Sequence, residues 1–280
     1  MLEITEGHRN RGMICNHDRY ILTGGLKTEL SKLLLVGTGL TSGDVSRAAI
    51  EMTKACQTVF WENYTNVLPG ITSDEIAELF GPGVIWLDRE RLEDGSVVLE
   101  ALSRGDVALL VHGDPMISTT HISLRVQAAG HGHESRIIHS SSIISAAMGE
   151  SCLQSTRFGR VATISFHHSE QPYDVLVDNL ERGLHTLFLL DLDVEGGRFM
   201  TIAGALKVLS TMEALRTDGI FSDDTLVVGL ARVSSEDQII RAGPAKRISK
   251  IDFGDPPHSL IVPGSLHFAE SEAIEVLLDL

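Results

Sequence analysis

The chain has 280 residues, enough for one large domain or two medium-sized ones, and its 43% hydrophobic and 22% charged residues are typical of a globular protein. The formal net charge of −15 argues against a nucleic-acid partner held through phosphates, since such a partner requires a basic face. No apolar run approaches the roughly 20 residues that span a membrane, and the first residues lack a signal-peptide pattern. We therefore expect neither nucleic acid nor membrane as a partner.

The cysteines predict the redox environment. Cys15, Cys56 and Cys152 are widely spaced, odd in number and without a C-x-x-C pattern. Such a set suits a reducing compartment and provides neither a disulfide framework nor a zinc knuckle. The sequence thus predicts a cytoplasmic protein with no metal site.

The N-terminal half changes character near residue 30. Residues 1–30 show no sustained hydrophobic period and are predicted to be an extension, a candidate for disorder, outside the fold. From residue 31 onward, helical patterns alternate with short apolar runs at 32–36, 58–61, 84–87, 107–111 and 135–139. This alternation predicts βαβ units and a mostly parallel sheet.

The second half also mixes helices and strands. Strands are predicted at 160–166, 184–190, 225–231 and 259–262, and helices at 144–148, from 201 to just before Gly219, and at 269–278. Residues 239–248 resemble a hairpin that turns at Gly243-Pro244. The predicted fold class is therefore α/β, with two α/β domains over 31–140 and 141–280, hinged near residue 140.

A glycine loop follows the first predicted strand. Gly37-Thr38-Gly39 lies between a strand and a helix, as in the first part of a dinucleotide-binding fingerprint, and Glu62 would face the ribose. The spacing G-x-G-x-x-x-G departs from that fingerprint, and tight-turn glycines without a ligand explain the pattern equally well. A nicotinamide-dependent oxidoreductase therefore remains open at this point.

The stretch from Val111 to His121 carries the second candidate site. Asp114, within Gly113-Asp114-Pro115, stands where the central strand at 107–111 ends. Ligands of open parallel sheets bind at the carboxyl ends of the strands, so Asp114 is a candidate binding residue. The alternative is that Asp114-Pro115 is simply a favourable turn.

Two further positions are candidates on chemical grounds. His258 follows two prolines at the start of a strand, where it would donate a hydrogen bond to a ligand or act as an acid or base, unless it is a structural histidine. Asp223-Asp224 offers paired carboxylates for a metal, but a solvated loop explains them better. Signatures of serine hydrolases, zincins and P-loop nucleotidases are absent.

Several segments, in order, resemble the diphthine synthase family, which belongs to the tetrapyrrole-methylase-like group of S-adenosylmethionine-dependent methyltransferases. The resemblance covers about residues 31–280. Its most specific motifs are Gly183-Leu-His-Thr-Leu187 and Phe253-Gly-Asp-Pro-Pro-His258; the others are Val36-Gly-Thr-Gly-Leu40, Gly113-Asp-Pro115, Thr119-Thr-His121, His139-Ser-Ser-Ser-Ile143, Asp223-Asp-Thr-Leu-Val-Val228 with Ala231-Arg232, and Ile240-Arg-Ala-Gly243.

The resemblance implies two α/β domains of the tetrapyrrole methylase type, usually in a homodimer, with the methyl donor in the cleft between the domains. The donor is S-adenosyl-L-methionine, and its product is S-adenosyl-L-homocysteine. The family's donor contacts fall on Leu40, Asp114, Ile117, Ser142, Ile143, Leu190, Val233 and His258. The resemblance identifies no catalytic residue.

The implied substrate is translation elongation factor 2. In diphthamide biosynthesis, the family methylates repeatedly the amino group of a 3-amino-3-carboxypropyl-histidine on that protein. Two alternatives stay open: a C-methyltransferase of the same superfamily acting on a corrin or porphyrin precursor, and a nucleotide-binding regulator without catalysis.

Overall fold

The structure, a computed structural model, describes residues 20–23, 26–62, 73–194 and 196–278. Its first elements, β1 (Tyr20–Thr23) and β2 (Leu26–Glu29), pair antiparallel as a sheet of their own. Paired strands thus occur within the predicted extension at 1–30, whose residues 1–19, 24 and 25 lie outside the described residues. Within the described part of the chain, no helix is long and apolar enough to cross a membrane.

The N-terminal sheet has five parallel strands in the order β5-β4-β6-β3-β7. This confirms the parallel sheet predicted from the alternating pattern. Its strands are β3 (Lys32–Gly37), β4 (Thr58–Glu62), β5 (Val84–Leu87), β6 (Val107–Val111) and β7 (Glu134–Ile138).

Helices cover both faces of this sheet, so β3 and β6 are buried on both sides and are apolar at nearly every position. Leu33 and Leu35 point into the cluster beneath α3, α4 and α5, whereas Leu34 and Val36 point towards α1 and α2. Burial of each of these side chains stabilises the folded state by about 1.5–3 kcal/mol. The helices are α1 (Arg47–Lys54), α2 (Ser73–Phe80), α3 (Arg89–Asp94), α4 (Ser96–Leu102) and α5 (Ile122–Gly130).

The chain reverses its winding direction between β3 and β6. From β3 it crosses through α1 to β4 on one side, and from β6 it crosses through α5 to β7 on the other. The loops after β3 and β6 therefore leave the sheet on opposite faces and border a crevice at its carboxyl edge. The glycine loop and Asp114 both lie at this crevice.

The C-terminal sheet is mixed, in the order β13-β12-β14-β9-β8, and only its β8–β9 pair is parallel. Helices α6 and α10 pack on one face, and α7, α8 and α9 on the other. The strands of this sheet are β8 (Ala162–Ile164), β9 (Thr186–Leu190), β12 (Leu226–Ala231), β13 (Ile239–Pro244) and β14 (His258–Val262). Two short strands, β10 (Leu192–Asp193) and β11 (Arg198–Phe199), pair antiparallel as a separate hairpin. The helices are α6 (Ile143–Glu150), α7 (Gln171–Glu181), α8 (Ile202–Arg216), α9 (Ala245–Ile248) and α10 (Phe268–Leu277).

The predicted hairpin at 239–248 is wrong. Only β13 forms, and the chain then enters α9 instead of a return strand. Ala245 and Ile248 are both buried, and their spacing of three residues places them on one face of a helix. The hairpin was predicted from Gly243-Pro244, taken as a turn between two strands.

Candidate active site

A cleft of about 360 Å³ lies between the crevice of the N-terminal sheet and one edge of the C-terminal sheet. Its volume is within the range of small-molecule sites, roughly 300–1,000 Å³. Seven of the eight positions expected to contact the donor line it: Leu40, Asp114, Ile117, Ser142, Ile143, Leu190 and His258. The structure thus brings together residues from five separate parts of the sequence.

Glycines allow the two loops of the N-terminal wall to touch. Gly39 and Gly113 exchange backbone hydrogen bonds of 3.2 and 2.9 Å. A Cβ on Gly37 would lie 2.7 Å from the Gly113 carbonyl oxygen, and one on Gly39, whose φ is +79°, would lie 2.2 Å from the Cβ of Asp44. Close packing of the loops therefore accounts for both glycines of the fingerprint-like motif.

The Asp44 carboxylate shapes the loop that presents Leu40. Its Oδ2 accepts hydrogen bonds from the backbone N–H groups of Leu40 and Thr41, at 2.9 and 3.1 Å. Because two bonds reach one oxygen, the turn after β3 is held in a single conformation. Leu40 is thereby placed in the cleft wall.

Asp114 connects the end of β6 to the segment between the two sheets. Its Oδ1 accepts from the backbone N–H of Met116 at 3.0 Å, and its Oδ2 lies 2.7 Å from His139 Nδ1 and 3.4 Å from the backbone nitrogen of Ser140. The side chain is mostly buried and lines the cleft. Asp114 is therefore more than a turn residue, since its carboxylate ties the loop after β6 to the segment that follows β7.

A buried ion pair supports this loop from below. Glu62, at the end of β4, is 0% exposed, and its Oε2 lies 2.7 Å from Nε2 of His121, which is 2% exposed. At this distance the Glu62 carboxylate attracts the protonated form of the His121 ring. The opposite ring nitrogen lies 2.8 Å from the Pro115 carbonyl oxygen. Burial lowers the pKa of His121, but Glu62 and that carbonyl outweigh the effect and raise it.

This pair corrects the hypothesis that Glu62 faces a ribose. A carboxylate that is completely buried against His121 is not available to a nucleotide in the cleft. The sequence carried no signal for the pair, because only the sheet order shows that β4 and β6 are neighbours whose carboxyl ends meet at one edge. His121 was noted only as part of a motif.

His112 is another cleft residue that the sequence analysis did not single out. Trp61 Nε1 donates to its Nε2 at 3.2 Å, so the ring proton of the neutral histidine lies on Nδ1. Burial lowers the pKa of His112 to about 4, against an opposing effect of Glu62. Within the described residues its buried Nδ1 has no hydrogen-bond partner. His112 can therefore donate a hydrogen bond from Nδ1 to a ligand, but its low pKa makes it unsuited to act as a base.

The C-terminal wall comes from the edge where β9 ends and β14 begins. These strands are antiparallel, with Ser259 opposite Leu189, so Leu190 and His258 come together although they are far apart in sequence. His258 Nε2 lies 3.2 Å from the Gly254 carbonyl oxygen, and its buried Nδ1 lacks a partner among the described residues. Burial lowers the pKa of His258, while the carbonyls of Gly254 and Asp255 oppose this. The neutral ring can bind a ligand.

Arg232 holds the loop that leads into His258. Its guanidinium is nearly buried, donates to the Phe253 carbonyl at 2.7 Å and also binds the carbonyl of Asp255. On its other side it pairs with Asp237, at 2.5 Å from the carboxylate and 2.9 Å from the carbonyl oxygen. One side chain thus positions residues 253–257 relative to the end of β12.

The domain junction contributes Ser142 and Ile143. Ser142 is the N-cap of α6, and its hydroxyl accepts from the Ile144 N–H at 3.2 Å. The predicted boundary at 140/141 falls between β7, in the first sheet, and α6, which packs on the second. The N-terminal end of α6 faces the cleft and favours a negatively charged group there.

Two candidate positions lie elsewhere. Val233 does not line the cleft; it is 6% exposed and packs in the cluster beneath α6 and α10. Asp223 and Asp224 are exposed, and Asp223 lies 3.6 Å from the Lys246 ammonium. No group of three or more potential metal ligands occurs among the described residues. The carboxylate pair therefore lies in a solvated loop.

A second cavity, of about 370 Å³, continues from the cleft. Arg89, Asp191 and Leu192 line both spaces, and Phe166, His167 and Arg198 belong to the second alone. The sequence analysis assigned none of these residues to a ligand site. They come from the start of α3 in the N-terminal half and, in the C-terminal half, from the loop after β8, the end of β9 and the β10–β11 hairpin. Only the position of Asp191, directly after a predicted strand, was a signal.

Comparisons with known proteins agree with this architecture. A model of the family described as tetrapyrrole (corrin/porphyrin) methylases matches residues 32–249. The diphthine synthases of Methanosarcina mazei and Methanosphaera stadtmanae are 40% and 38% identical to this chain, each over 88% of this chain and 96% of its own length. The chain belongs to the diphthine synthase family.

A crystal structure described as diphthine synthase superposes with a TM-score of 0.82 at 36% identity, over 89% of this chain and 96% of that one. The resemblance inferred from the motifs is confirmed, and the protein is a methyltransferase with the α/β fold of the tetrapyrrole methylases. A nicotinamide-dependent oxidoreductase is no longer a tenable alternative, since its two supporting features, the glycine loop and Glu62, have structural explanations.

Proposed function

We propose that this protein transfers methyl groups from S-adenosylmethionine to the amino group of the 3-amino-3-carboxypropyl-histidine of elongation factor 2, repeatedly, as a step of diphthamide biosynthesis. The observation that carries the proposal is the convergence of Leu40, Asp114, Ser142, Leu190 and His258 on one cleft. Diphthine synthase relatives at about 40% identity favour this substrate over a corrin or porphyrin precursor and over a regulator without catalysis.

The cleft residues suit the proposed donor. Leu40, Ile117 and Leu190 offer apolar contacts, while His112 Nδ1 and His258 Nδ1 are buried polar atoms without partners among the described residues. When bound there, S-adenosylmethionine would supply an electrophilic methyl group on a sulfonium centre. Ser142, at the start of α6, would lie near the donor's carboxylate end.

The residues of this chain mainly position the reactants and exclude water. Methyl transfer requires the amine lone pair in line with the methyl–sulfur bond, so correct placement supplies much of the rate enhancement. The amine must also be neutral, and desolvation in the cleft lowers the pKa of its ammonium form. We propose that Asp114 and His258 hold the donor and take no part as acid or base.

Four further proposals accompany the function. The protein acts as a homodimer, works in the cytoplasm, is divided into domains at residues 140/141, and holds the donor near the backbone of Val233. Size-exclusion chromatography with light scattering tests the dimer, and a monomeric mass would contradict it.

Methyl transfer to the proposed acceptor is the test of function. Purified protein, radiolabelled S-adenosylmethionine and elongation factor 2 carrying the aminocarboxypropyl-histidine are expected to give labelled elongation factor. S-adenosylhomocysteine should raise the melting temperature because it binds only the folded state, and NAD should leave it unchanged. Label on a corrinoid but not on the elongation factor would instead support the tetrapyrrole methylase alternative.

Asp114→Ala is expected to weaken donor binding by about 10- to 100-fold, since hydrogen bonds to a charged group contribute about 1.5–3 kcal/mol. Calorimetric titration with S-adenosylhomocysteine measures the change. Asp106→Ala is a matched control, because Asp106 also accepts a backbone N–H, from Lys32 at 2.8 Å, but precedes the opposite end of β6. Equal affinities of Asp114→Ala and wild type would contradict the assigned contact.

A further inference from the structure

The boundary between the two cavities carries opposite charges from opposite domains. Arg89 begins α3 in the N-terminal half, Asp191 directly follows β9 in the C-terminal half, and both line the cleft as well as the second cavity. A ligand in the second cavity would therefore contact both Arg89 and Asp191 where that cavity meets the cleft proposed for the methyl donor.

Asp191 is held rigidly but keeps part of its carboxylate available. Its backbone N–H donates to the Ile164 carbonyl at 3.1 Å, and its carbonyl accepts from Met200 at 2.9 Å. One carboxylate oxygen, Oδ2, accepts from the backbone N–H of Phe166 at 3.0 Å. Within the described residues, the other oxygen has no hydrogen-bond or ion-pair partner. The side chain is half-buried, so this oxygen can meet a cation.

The other charged groups of the second cavity are already engaged. Arg198 donates twice to Asp193, at 2.9 and 2.7 Å, and its guanidinium lies 5.0 Å from the centre of the Phe166 ring. The pKa of Asp193 is lowered by this contact. Because Arg198 covers the aromatic face, a cation in this cavity would be met by a carboxylate and not by an aromatic ring.

Arg89 is mostly exposed, and a ligand can compete with its surface contacts. Its Nε lies 2.8 Å from Glu93 in an i,i+4 pair on the surface of α3, with 69% and 46% of the side chains exposed. Such pairs contribute little to stability because water competes for both charges. A guanidinium in this position is suited to a carboxylate, which it can bind through two parallel hydrogen bonds.

We propose that this boundary is the subsite for the α-amino-carboxylate end of the acceptor, with Asp191 facing its amino group and Arg89 its carboxylate. The proposal rests on the proposed function, whose acceptor carries an amino and a carboxylate group on one carbon. The Asp191 carboxylate attracts the ammonium form of the substrate and of each methylated product, whereas the form that reacts is the neutral amine left when the ammonium loses a proton. Arg89 orients the same carbon from the other side, which directs the nitrogen towards the donor cleft.

A binding experiment without turnover tests the subsite. The probe is 2-aminobutyrate, added to protein saturated with S-adenosylhomocysteine and observed by saturation-transfer NMR, with butyrate and propylamine as single-charge comparisons. We expect a signal from 2-aminobutyrate with the wild type and its loss in Asp191→Asn and Arg89→Gln. An equal signal in wild type and both variants, or none in the wild type, would overturn the proposal.

Kinetics with the elongation factor provide the second measurement. Asp191→Asn keeps an oxygen for Phe166 and should raise the acceptor KM about 10-fold or more, as for a lost charge contact, while the dissociation constant of S-adenosylhomocysteine stays within about twofold. Matched controls are Asp223→Asn, an exposed carboxylate beside Lys246, and Arg47→Gln, an exposed i,i+4 partner of Glu51. If the wild type transfers no methyl group, the proposed function fails; if it does and both subsite variants keep its acceptor KM, only the subsite fails.

Discussion

Glu62→Ala is expected to lower the free energy of unfolding by about 3–5 kcal/mol, because it leaves His121 buried without its carboxylate partner. The two side chains are 0% and 2% exposed, so water cannot replace the lost contact. His121 also contacts the Pro115 carbonyl oxygen, and its release should weaken binding of S-adenosylhomocysteine. Urea denaturation and calorimetric titration measure the two effects.

Glu51→Ala is the matched control for this change. Glu51 pairs with Arg47 at 3.3 Å on the surface of α1, where both side chains are mostly exposed, and its loss should have little effect. A Glu62→Ala variant as stable as Glu51→Ala would show that the buried pair does not support the loop.

The same pair sets a pH dependence. The pKa of His121 is raised above its ordinary 6.5, so the stability that it contributes is fully present below pH 6.5 and is lost as the pH rises through the raised pKa. Glu62→Gln keeps the shape of the side chain but removes its charge. The free energy of unfolding of this variant should therefore fall below that of the wild type by the largest amount near pH 6, and the difference should shrink at higher pH. His112, with a pKa of about 4, stays neutral throughout this window. A stability difference between the variant and the wild type that grows with pH would contradict a stabilising ion pair between Glu62 and His121.

Arg232→Ala is expected to weaken donor binding by at least about 10-fold and to destabilise the protein by about 3 kcal/mol or more, since each buried acceptor left unpaired costs about 1–3 kcal/mol. The variant leaves the carbonyls of Phe253 and Asp255 without their donor and frees the loop before His258. Thermal unfolding and titration with S-adenosylhomocysteine check both effects.

Arg241→Ala provides the comparison for Arg232. Arg241 lies on the neighbouring strand β13 and is exposed, and within the part of the chain that the structure describes its side chain donates to the carbonyl of the preceding Ile240. We expect the Arg241→Ala variant to bind S-adenosylhomocysteine with wild-type affinity. If Arg232→Ala also keeps wild-type affinity, the Arg232 guanidinium does not position His258 for the methyl donor.

The local hydrophobic pattern of the sequence was sufficient to predict the strands of the N-terminal sheet. Strands β3 and β6 are buried on both faces, so nearly every position is apolar, and this run stands out against the helical patterns that flank it. The second half was harder because short elements carry weak patterns. At 239–248 the Gly243-Pro244 pair favoured a turn between two strands, and only packing against α8 and β12 shows that Ala245 and Ile248 belong to a helix.

The sequence by itself determined the α/β class, the diphthine synthase family and most of the residues that line the cleft, because strand ends and motif residues follow from local order along the chain. Only the tertiary structure revealed the Glu62–His121 pair, the place of Val233 in the core and the facing of Arg89 and Asp191. The physical reason is that these depend on which strand edges and helix ends meet. The antiparallel pairing of β9 with β14 and the apposition of two domains leave no mark on local residue spacing.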